Sequence, residues 1–472
     1  MDATMLSTTV LLGGFFILMF LKVPVTFALL ISTLCSAFIS GTNFTVMVRM
    51  MIDGVSNFTL LAIPFFILMG EIMSAGKVSE KIIDLANLVV GRFKGGLAYV
   101  NCVDSMFFGG ISGSAVADVS SLGSVVVPLM VKQGYSPEFS VGLTVITSCQ
   151  GVLIPPSHNM VIYALAAGGG VSIARMFIGG AIPGIFLGLS ILLYCFLFRN
   201  HYHFPEGMRI GMGDSVRWLK FSKTTDKKWR YTKKAETFLV ISTPLFMLEI
   251  GKCVQILLNA ILPMMTIVII MGGVATGIFT ATESAAVACM YAFILTYFIF
   301  RTARLRDFGH ILKNTLKTLS IVLTLIATAK AFSYMMTDLR IPDLITHTLV
   351  SITDNKYILL LIINMLLLVL GCFMDMAPLI MIMTPILLPI VTNEVIGMDP
   401  IHFGIMLIFN LAVGLCTPPV GSALFVGCAV GKTSIEKTSK AMLGMFGVMV
   451  ACLLIITYVP AFSLFLPSIL GI

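Results

Sequence analysis

Long apolar runs separated by short polar turns extend along almost the whole chain. Runs of about 17–25 apolar residues, the length that crosses a bilayer as a helix, are predicted near residues 6–21, 25–40, 58–75, 176–198, 258–275, 284–300, 318–337 and 442–466. One long hydrophilic loop, from Arg199 to Lys234, divides the chain, and the apolar segment Phe238–Ile250 after it is short enough to be interfacial. The pattern predicts an all-α polytopic membrane protein.

Two further apolar runs carry a double proline at their middle. Residues 137–166 contain Gly151-Val-Leu-Ile-Pro-Pro-Ser-His-Asn159, and residues 402–431 contain Gly414-Leu-Cys-Thr-Pro-Pro-Val-Gly421. Proline lacks the backbone N–H and disfavours helix at the residue before it. Because lipid cannot satisfy freed backbone groups, protein, water or a bound solute must do so. Two broken transmembrane helices at corresponding places indicate the binding site of a transporter.

The segment before each broken helix is too interrupted for a simple crossing. Residues 96–130 contain Gly109-Gly110, Gly113, Gly123 and Pro128, and residues 358–392 are interrupted at Gly371, Pro378, Pro385 and Pro389. Both segments are predicted to be re-entrant hairpins. Their tips are Gly110-Ile-Ser-Gly-Ser-Ala-Val-Ala-Asp118 and Gly371-Cys-Phe-Met-Asp-Met-Ala-Pro378.

These landmarks recur at a nearly constant spacing. Gly109 corresponds to Gly371 at an offset of 262 residues, and Pro155-Pro156 corresponds to Pro418-Pro419 at 263. In each half an N-cap residue, Ser136 or Asp399, precedes a proline at the first helical position. The spacing predicts an inverted-repeat transporter, with a first repeat over residues 1–198, a basic cytoplasmic or interfacial linker over 199–257 and a second repeat over 258–472.

Composition agrees with this class, since 58% of the residues are hydrophobic, 11% are charged and the mean hydropathy is +1.02. The ten cysteines lie mostly in apolar runs without a CxxC pair, which is typical of small buried hydrophobes rather than a disulfide or zinc framework. The run Met5–Leu21 has no basic n-region or small-residue cleavage site and is read as a first span.

Most of the 30 lysine and arginine residues fall on one side when successive loops alternate and each hairpin returns to its own side. By the positive-inside rule that side is cytoplasmic, so both termini are expected to face outward. The hairpins then enter from opposite sides, as an inverted repeat requires. Because basic residues beside spans are topology signals, the net charge of +8 indicates no nucleic-acid partner.

The hairpin tips and helix breaks offer the oxygens that a sodium ion needs, largely from the backbone. The predicted cation ligands, for two or more co-transported sodium ions, are Ser112, Ser114, Gly151, Ile154, Pro155, Gly371, Met374, Asp375, Gly414, Thr417 and Pro418. A substrate carboxylate is expected between two such sites. The predicted substrate-binding residues are Gly113, Ser114, Ser157, Asn159, Asp375 and Thr417.

Several of these residues have a plainer interpretation. Asp375 could be a helix-capping acid, and the tip serines could be small packing residues. Glu283, in Thr280-Ala-Thr-Glu-Ser-Ala285, is interpreted as an acid at a helix N-terminus rather than a ligand. Asp118 is expected to close the second helix of the first hairpin, and His158 to be a structural imidazole.

At these motifs the chain resembles the large membrane (M) subunit of the tripartite ATP-independent periplasmic (TRAP) transporters. The matching stretches, in family order across both halves, are Phe108-Gly-Gly-Ile-Ser-Gly-Ser-Ala-Val-Ala-Asp118, Ile154-Pro-Pro-Ser157, Gly277-Ile-Phe-Thr-Ala-Thr-Glu-Ser-Ala-Ala286, Phe373-Met-Asp375 and Gly414-Leu-Cys-Thr-Pro-Pro-Val-Gly421. The resemblance implies sodium-driven uptake of an organic acid, such as sialic acid, a C4-dicarboxylate or a keto acid, across the bacterial inner membrane. It also implies an elevator of the ion-transporter-superfamily type, in which hairpins and broken helices carry the substrate past a scaffold.

The resemblance further implies two partners, a periplasmic binding protein that delivers the substrate and a small four-span membrane subunit. No such module precedes Met5, so a separate chain is expected. The segment 214–261 departs from the family pattern because it is longer than the usual connection and carries Trp218 and Trp229. It is interpreted as an amphipathic helix on the inner leaflet or a docking surface for the small subunit, with a structural role preferred.

Two other functions fit parts of the pattern. A stand-alone sodium–anion symporter would share the repeats and broken helices and would need no binding protein. The tetrapeptide Gly110-Ile-Ser-Gly113 also fits the GxSG pattern of intramembrane serine proteases, with His158 as a base. That signal is weak, since its counterpart at Gly371 has no serine. A channel is disfavoured because there is no ring-forming filter motif.

Overall fold

A computed structural model describes residues 3–91, 93–202, 204–205, 220–223, 229–232, 243–345, 355–394, 396–418 and 421–471. The helices of the first half are α1 (Ala3–Phe20), α2 (Val25–Ser40), α3 (Phe44–Val55), α4 (Ala62–Ala75), α5 (Val78–Val90), α6 (Gly96–Ser112), α7 (Ala115–Lys132), α8 (Pro137–Ser148), α9 (Gln150–Leu153), α10 (His158–Ala166) and α11 (Ile173–Leu197). Most follow the predicted segments. Helix α3 was not expected from the sequence, because its 12 residues include Arg49 and Asp53 and are too short and polar to read as a span.

The second half begins with two strands, β1 (Lys220–Lys223) and β2 (Trp229–Thr232). Its helices are α12 (Thr243–Ala275), α13 (Ala281–Ile294), α14 (Phe308–Asp338), α15 (Lys356–Gly371), α16 (Met376–Val391), α17 (Pro400–Leu415), α18 (Ser422–Gly431), α19 (Ile435–Tyr458) and α20 (Ala461–Leu470). The last predicted span, 442–466, is therefore two helices, which are separated at Val459 and Pro460.

The described fold is all-helical as predicted, apart from one short pair of strands in the hydrophilic loop. Strands β1 and β2 form an antiparallel pair in which Phe221 is opposite Tyr231 and Lys223 is opposite Trp229. Aromatic residues favour strands, and this preference outweighs the amphipathic helix that was considered for the segment. Trp218 lies outside the described residues.

The end of the predicted linker is helical. From Thr243 onward the apolar segment 238–250 is helical and continues without interruption into α12, whose membrane-length apolar part is Val254–Ala275. Pro244 lies in the first turn of that helix, where a missing N–H breaks no intrahelical bond. The linker boundary at residue 257 stays a prediction.

Each hairpin has a single interruption rather than several. Helices α6 and α7 are separated at Gly113 and Ser114, and Pro128 lies inside α7. Helices α15 and α16 are separated between Gly371 and Met376, and both Pro385 and Pro389 lie inside α16. Prolines are tolerated within membrane helices because neighbouring groups satisfy the freed carbonyls. The two halves of each hairpin are therefore continuous helices up to the tip.

Both predicted breaks are present. Helix is absent from Ile154 to Ser157, and the chain bends by 52° between α8–α9 and α10. Helix α17 ends at Leu415 and α18 begins at Ser422, with Pro418 between them, while Pro419 lies outside the described residues. Ser136 and Asp399 cap α8 and α17 as predicted, each accepting a hydrogen bond from a backbone N–H of the first turn.

By length and composition, six of the described helices could cross a membrane, or up to eight spans if each sharply bent pair counts as one. The count is below the ten or so predicted spans because α1 and α2, the halves of the second hairpin and the two segments of the second broken helix are each short. The second bent pair is α4 and α5, which meet at 71°.

The helices pack in two groups. One group contains α1 to α4 with α13 and α14, and the other contains both hairpins and both broken helices with α11 and α19. The first segments of the broken helices lie at the centre of the second group. Every residue of α17 after Pro400 is buried, and so is every residue from Phe139 to Ser148 in α8.

Candidate functional site

The first hairpin touches the first break through backbone. Gly109 and Gly151 approach so closely that a Cβ atom on either would collide with the Cα atom of the other. At the tip, Gly113 has φ of 63°, and a Cβ there would lie 2.7 Å from the carbonyl oxygen of Pro156. Only glycine allows both the left-handed backbone and this approach.

The second hairpin meets the second break in the same way. A Cβ on Gly414 would lie 2.8 Å from the Cα of Gly371, and a Cβ on Gly371 would lie 3.2 Å from the Cα of Gly414. The two contacts therefore join residues that correspond at offsets of 262 and 263 in the sequence. Tip and break form one backbone unit in each half.

Buried amides hold each hairpin against its broken helix. Asn101 on α6 donates to the Thr144 hydroxyl on α8 at 2.7 Å and accepts from the Thr147 hydroxyl at 3.2 Å. In the second half, Asn410 on α17 donates to the backbone oxygen of Asn364 on α15 at 3.0 Å and to its side-chain oxygen at 2.8 Å. Asn101 and Asn364 correspond at the offset of 263, as do Thr147 and Asn410.

Asn410→Ala should lower the free energy of unfolding by about 1–3 kcal/mol, because it leaves the buried Asn364 side-chain oxygen without its donor. Thermal unfolding of purified protein in detergent measures the change. Asn200→Ala, on an exposed residue whose contact with Lys94 is 3.4 Å long, is the control and should unfold at the wild-type temperature. Equal melting temperatures for the two variants would contradict the role of the amide pair.

One cavity of about 800 Å³ lies where both tips and both breaks converge. The hairpins and broken helices contribute Phe108, Ser112, Ser114, Ala115, Val116, Ala117, Ser120, Ser121, Val152, His158, Asn159, Asp375, Met376, Ala377, Pro378, Leu415 and Ser422. The opposite wall comes from the start of α2 and from α4 and α14. Its lining residues are Pro24, Val25, Thr26, Ile67, Gly70, Glu71, Ser74, Thr318, Ile321, Val322 and Leu325.

Helix ends dominate the wall of this cavity. The N-termini of α7, α10, α16 and α18 open on it at Ala115, His158, Met376 and Ser422, and each carries unsatisfied N–H groups and a positive dipole end. The C-termini of α6 and α17 reach it at Ser112 and Leu415 and bring carbonyl oxygens. The cavity can therefore attract an anion and a cation at neighbouring places.

Four predicted site residues line this cavity, namely Ser112, Ser114, Asn159 and Asp375. Asp375 takes the N-cap position of α16, yet its side chain accepts no hydrogen bond from that helix. It accepts one from the Ser422 hydroxyl instead, at 3.3 Å. The carboxylate is therefore turned toward the cavity rather than toward the helix that it precedes.

Other predicted residues lie behind the cavity wall. They are Gly113, Gly151, Ile154, Pro155, Ser157, Gly371, Met374 and Gly414, all buried at the tip–break contacts. Ser157 is fully buried, and its hydroxyl has no hydrogen-bond partner in the described part of the chain.

Thr417 is not on the same wall as Asp375. It lines a separate pocket of about 630 Å³ together with Pro418 and the first part of α19, and its hydroxyl donates to the Val413 carbonyl at 2.8 Å. The structure thus does not bring Thr417 into the cavity in which the sequence placed it with Asp375. After α17 ends at Leu415, Thr417 and Pro418 lie beside α19 rather than on the wall with Asp375, which the spacing of the motif does not reveal.

The helix-capping roles predicted for Glu283 and Asp118 have different outcomes. Glu283 accepts from the backbone N–H and the hydroxyl of Thr280, both at 2.8 Å, so the helix-capping role is confirmed. The capping role expected for Asp118 is wrong, because Ser114 caps α7 by accepting from the Ala117 N–H at 3.4 Å. His158 lines the cavity at the first turn of α10.

Sequence reasoning missed Ser422 and the opposite wall. Ser422 corresponds to Asn159 at the offset of 263, so the repeat contained a signal for it. Glu71 and Ser74 had no such signal, since their place on the wall depends on how α4 packs over the first hairpin. Helix α4 contacts the first hairpin at Gly70, where a Cβ would lie 3.7 Å from the Ser112 carbonyl oxygen.

The fold is shared with a solved membrane-protein structure. The chain is similar to the YdaH transporter of Alcanivorax borkumensis with a TM-score of 0.54, and the likeness covers 89% of this chain and 88% of that one. At 13% identity this likeness shows the fold alone. Together with the apolar helices, it defines a polytopic α-helical membrane fold.

The match to a family model defines the class of protein more narrowly than the fold does. Residues 12–462 match the family model "Tripartite ATP-independent periplasmic transporter, DctM component", and the chain belongs to this family. The resemblance drawn from the motifs is thereby confirmed. Its members are large permease subunits that work with a small membrane subunit and a periplasmic binding protein on organic acids; they are not enzymes, so the protease alternative is excluded.

Curated relatives match over nearly the full length. The chain is 38% identical to an uncharacterized protein, YgiK, of Salmonella typhimurium, over 98% of this chain and 97% of that one. It is 32% identical to the sialic acid TRAP transporter large permease SiaM of Vibrio cholerae, over 97% of each. It is 34% identical to the isethionate TRAP transporter permease DctMQ of Oleidesulfovibrio alaskensis, over 97% of this chain but 66% of that protein.

Proposed function

We propose that this permease carries out sodium-coupled uptake of a small organic acid across the bacterial inner membrane, with the acid delivered by a periplasmic binding protein. The observation that carries the proposal is the single cavity on which both hairpin tips and both helix breaks converge. Sialic acid, C4-dicarboxylates and isethionate are named for relatives of this chain. Each of these compounds is an organic anion that carries a carboxylate or a sulfonate group.

The charge of the cavity supports sodium coupling. Neither lysine nor arginine is among the described lining residues, whereas Asp375 and Glu71 are. An organic anion there would meet helix N-termini and would also need cations to offset the two carboxylates. Ser112, Ser114, Asp375 and the carbonyl oxygens of the two tip–break units are the proposed sodium ligands, with Thr417 and Pro418 reached from the neighbouring pocket.

The matched glycine contacts support the inverted repeat. Gly109 with Gly151 and Gly371 with Gly414 join equivalent positions of the two halves, and each pair ties a hairpin to its broken helix. The packing of α1 to α4, α13 and α14 against one another supports an elevator in which that group is the scaffold. The cavity would then lie between the moving group and the scaffold.

A small membrane subunit is proposed as a partner of this permease, because the family works with one. The positive-inside rule supports periplasmic termini and hairpins that enter from opposite sides.

The proposal is tested by uptake into proteoliposomes that contain this permease with its small subunit. Candidate binding proteins, each preloaded with one radiolabelled acid, are added outside with sodium or with potassium. Uptake that needs both an inward sodium gradient and one loaded binding protein is expected. Full uptake of free acid without any binding protein would favour the stand-alone symporter, and uptake without sodium would overturn the coupling.

A further inference from the structure

The pocket of about 630 Å³ beside the second break is a groove along one face of α19. Its floor is formed by Cys416, Thr417 and Pro418. Its wall on α19 consists of residues spaced three or four apart, namely Ile435, Glu436, Ser439, Lys440, Met442, Leu443 and Phe446. Leu443 is 63% exposed on a helix that is long and apolar enough to cross a membrane, so this α19 groove is open to lipid.

The floor of the α19 groove leaves no backbone or hydroxyl donor for a polar ligand. The Thr417 hydroxyl donates to the Val413 carbonyl at 2.8 Å, and the Thr417 N–H donates to the Gly414 carbonyl at 3.0 Å. The Cys416 N–H also donates to Val413, at 3.1 Å. Hydrocarbon can therefore lie against this floor without leaving a donor unsatisfied.

The end of the α19 groove at the start of α19 is basic. Lys432, Lys437 and Lys440 are all exposed there, against a single acid, Glu436. Lys440 pairs with Glu436 at 3.1 Å, but both side chains are mostly exposed, and such a pair contributes little to stability. Lys432 and Lys437 form no ion pair in the described part of the chain. Together with the positive dipole end of α19, these side chains favour an anion.

The dimensions of the α19 groove distinguish between an acyl chain and a helix of another subunit. Helix α19 rises about 17 Å from Ile435 to Phe446, so a volume of 630 Å³ corresponds to a mean cross-section of about 40 Å². An α-helix with its side chains is about 10–12 Å in diameter and needs about 80 Å² or more. The groove is therefore too narrow for a helix, whereas an extended hydrocarbon chain fits.

We propose that the α19 groove binds a phospholipid with an anionic headgroup, with one acyl chain along α19 and the phosphate at Lys437 and Lys440. The apolar wall and the floor accept the chain, and the basic end accepts the headgroup. By the positive-inside rule this end lies on the cytoplasmic side, where anionic lipids attract basic residues. The chain covers one side of the second break, while the contact between Gly414 and Gly371 lies outside the groove.

Fluorescence quenching by brominated lipids tests the site in the full chain in proteoliposomes, without any need for transport. Phe446→Trp places a fluorophore on the wall of the groove, in a background with Trp218→Phe and Trp229→Phe. Brominated phosphatidylglycerol should quench this fluorophore at a mole fraction about fivefold lower than brominated phosphatidylcholine does, because the lysines hold the anionic headgroup.

Two controls separate this site from general contact with lipid. Phe38→Trp, on a residue of α2 that is 76% exposed, should be quenched by both lipids at the same mole fraction. Adding Lys437→Gln and Lys440→Gln to Phe446→Trp should abolish the preference for phosphatidylglycerol. Adding Lys313→Gln and Lys317→Gln instead, on exposed residues of α14, should leave the preference at about fivefold.

Equal quenching of Phe446→Trp by the two lipids would overturn the proposal. The same preference at Phe38→Trp would also overturn it, since anionic lipid would then be attracted to the whole protein. Absence of quenching at Phe446→Trp would show that protein fills the groove. If Phe446→Trp does not fold, Leu443→Trp on the same wall replaces it. If the lysine variant does not fold, high salt is used instead, and an undiminished preference would contradict the role of the lysines.

Discussion

Replacing Gly109 by valine should lower the initial rate of sodium-driven uptake about 100-fold, with protein in the membrane at near the wild-type level. A Cβ at this position would collide with the backbone of Gly151, so the side chain forces the first hairpin away from the first break. A displacement of about 1 Å in a binding constellation can cost a factor of about 100. Uptake into proteoliposomes, normalised to reconstituted protein, measures the effect.

The matched control is Gly447→Val on α19. Gly447 is exposed in the described structure, and a Cβ there would meet nothing within 4 Å, so uptake should stay close to wild type. Gly371→Ala gives a graded comparison in the second half, because its Cβ would lie 3.2 Å from the Gly414 Cα and a small shift relieves the contact. Wild-type uptake by Gly109→Val would show that the tip need not touch the break.

Asp375→Asn should raise the sodium concentration for half-maximal uptake about tenfold, which corresponds to roughly 1.4 kcal/mol of lost cation binding. The substitution keeps the size of the side chain and its bond with Ser422 but removes a negative charge from the cavity. Sodium titrations of uptake at saturating loaded binding protein measure the shift. The maximal rate should change less than the half-maximal concentration.

Asp53→Asn is the control for charge alone, since Asp53 lies on α3 and forms an exposed pair with Arg49 at 4.0 Å. Thr417→Ala should also raise the half-maximal sodium concentration, because its hydroxyl oxygen keeps a free lone pair while donating to Val413. Unchanged sodium dependence in both Asp375→Asn and Thr417→Ala would count strongly against a cation site at the second tip and break.

Local signals in the sequence were sufficient for the elements that build the site. The double prolines that begin at Pro155 and Pro418 interrupt their helices because two adjacent residues lack the backbone donor and the residue before them disfavours helix. Ser136 and Asp399 cap the following helices through bonds within one turn. The glycines of the hairpin tips and the constant offset between the two halves can also be recognised without knowledge of the packing. These features were predicted because their cause lies within a few residues.

The short or polar elements escaped this reasoning. Helix α3 (Phe44–Val55) is stabilised by packing against α14 (Phe308–Asp338), which lies far along the chain. The strand pair β1–β2 and the early start of α12 contradict the pattern that the loop suggested. The prolines inside α7 and α16 predict interruptions of the helix, yet both helices are continuous because neighbouring helices satisfy the freed carbonyl groups. Tertiary context decided each of these against local preference.

The amino-acid sequence by itself determined that this protein is a membrane permease with two hairpins and two broken helices, because hydrophobic length, proline chemistry and helix capping act locally. Only the tertiary structure decided that α4 and α14 close the cavity and that Thr417 lines a different pocket from Asp375. These relations depend on which helices pack together although they are far apart in the chain. The spacing of residues along the chain does not specify that packing.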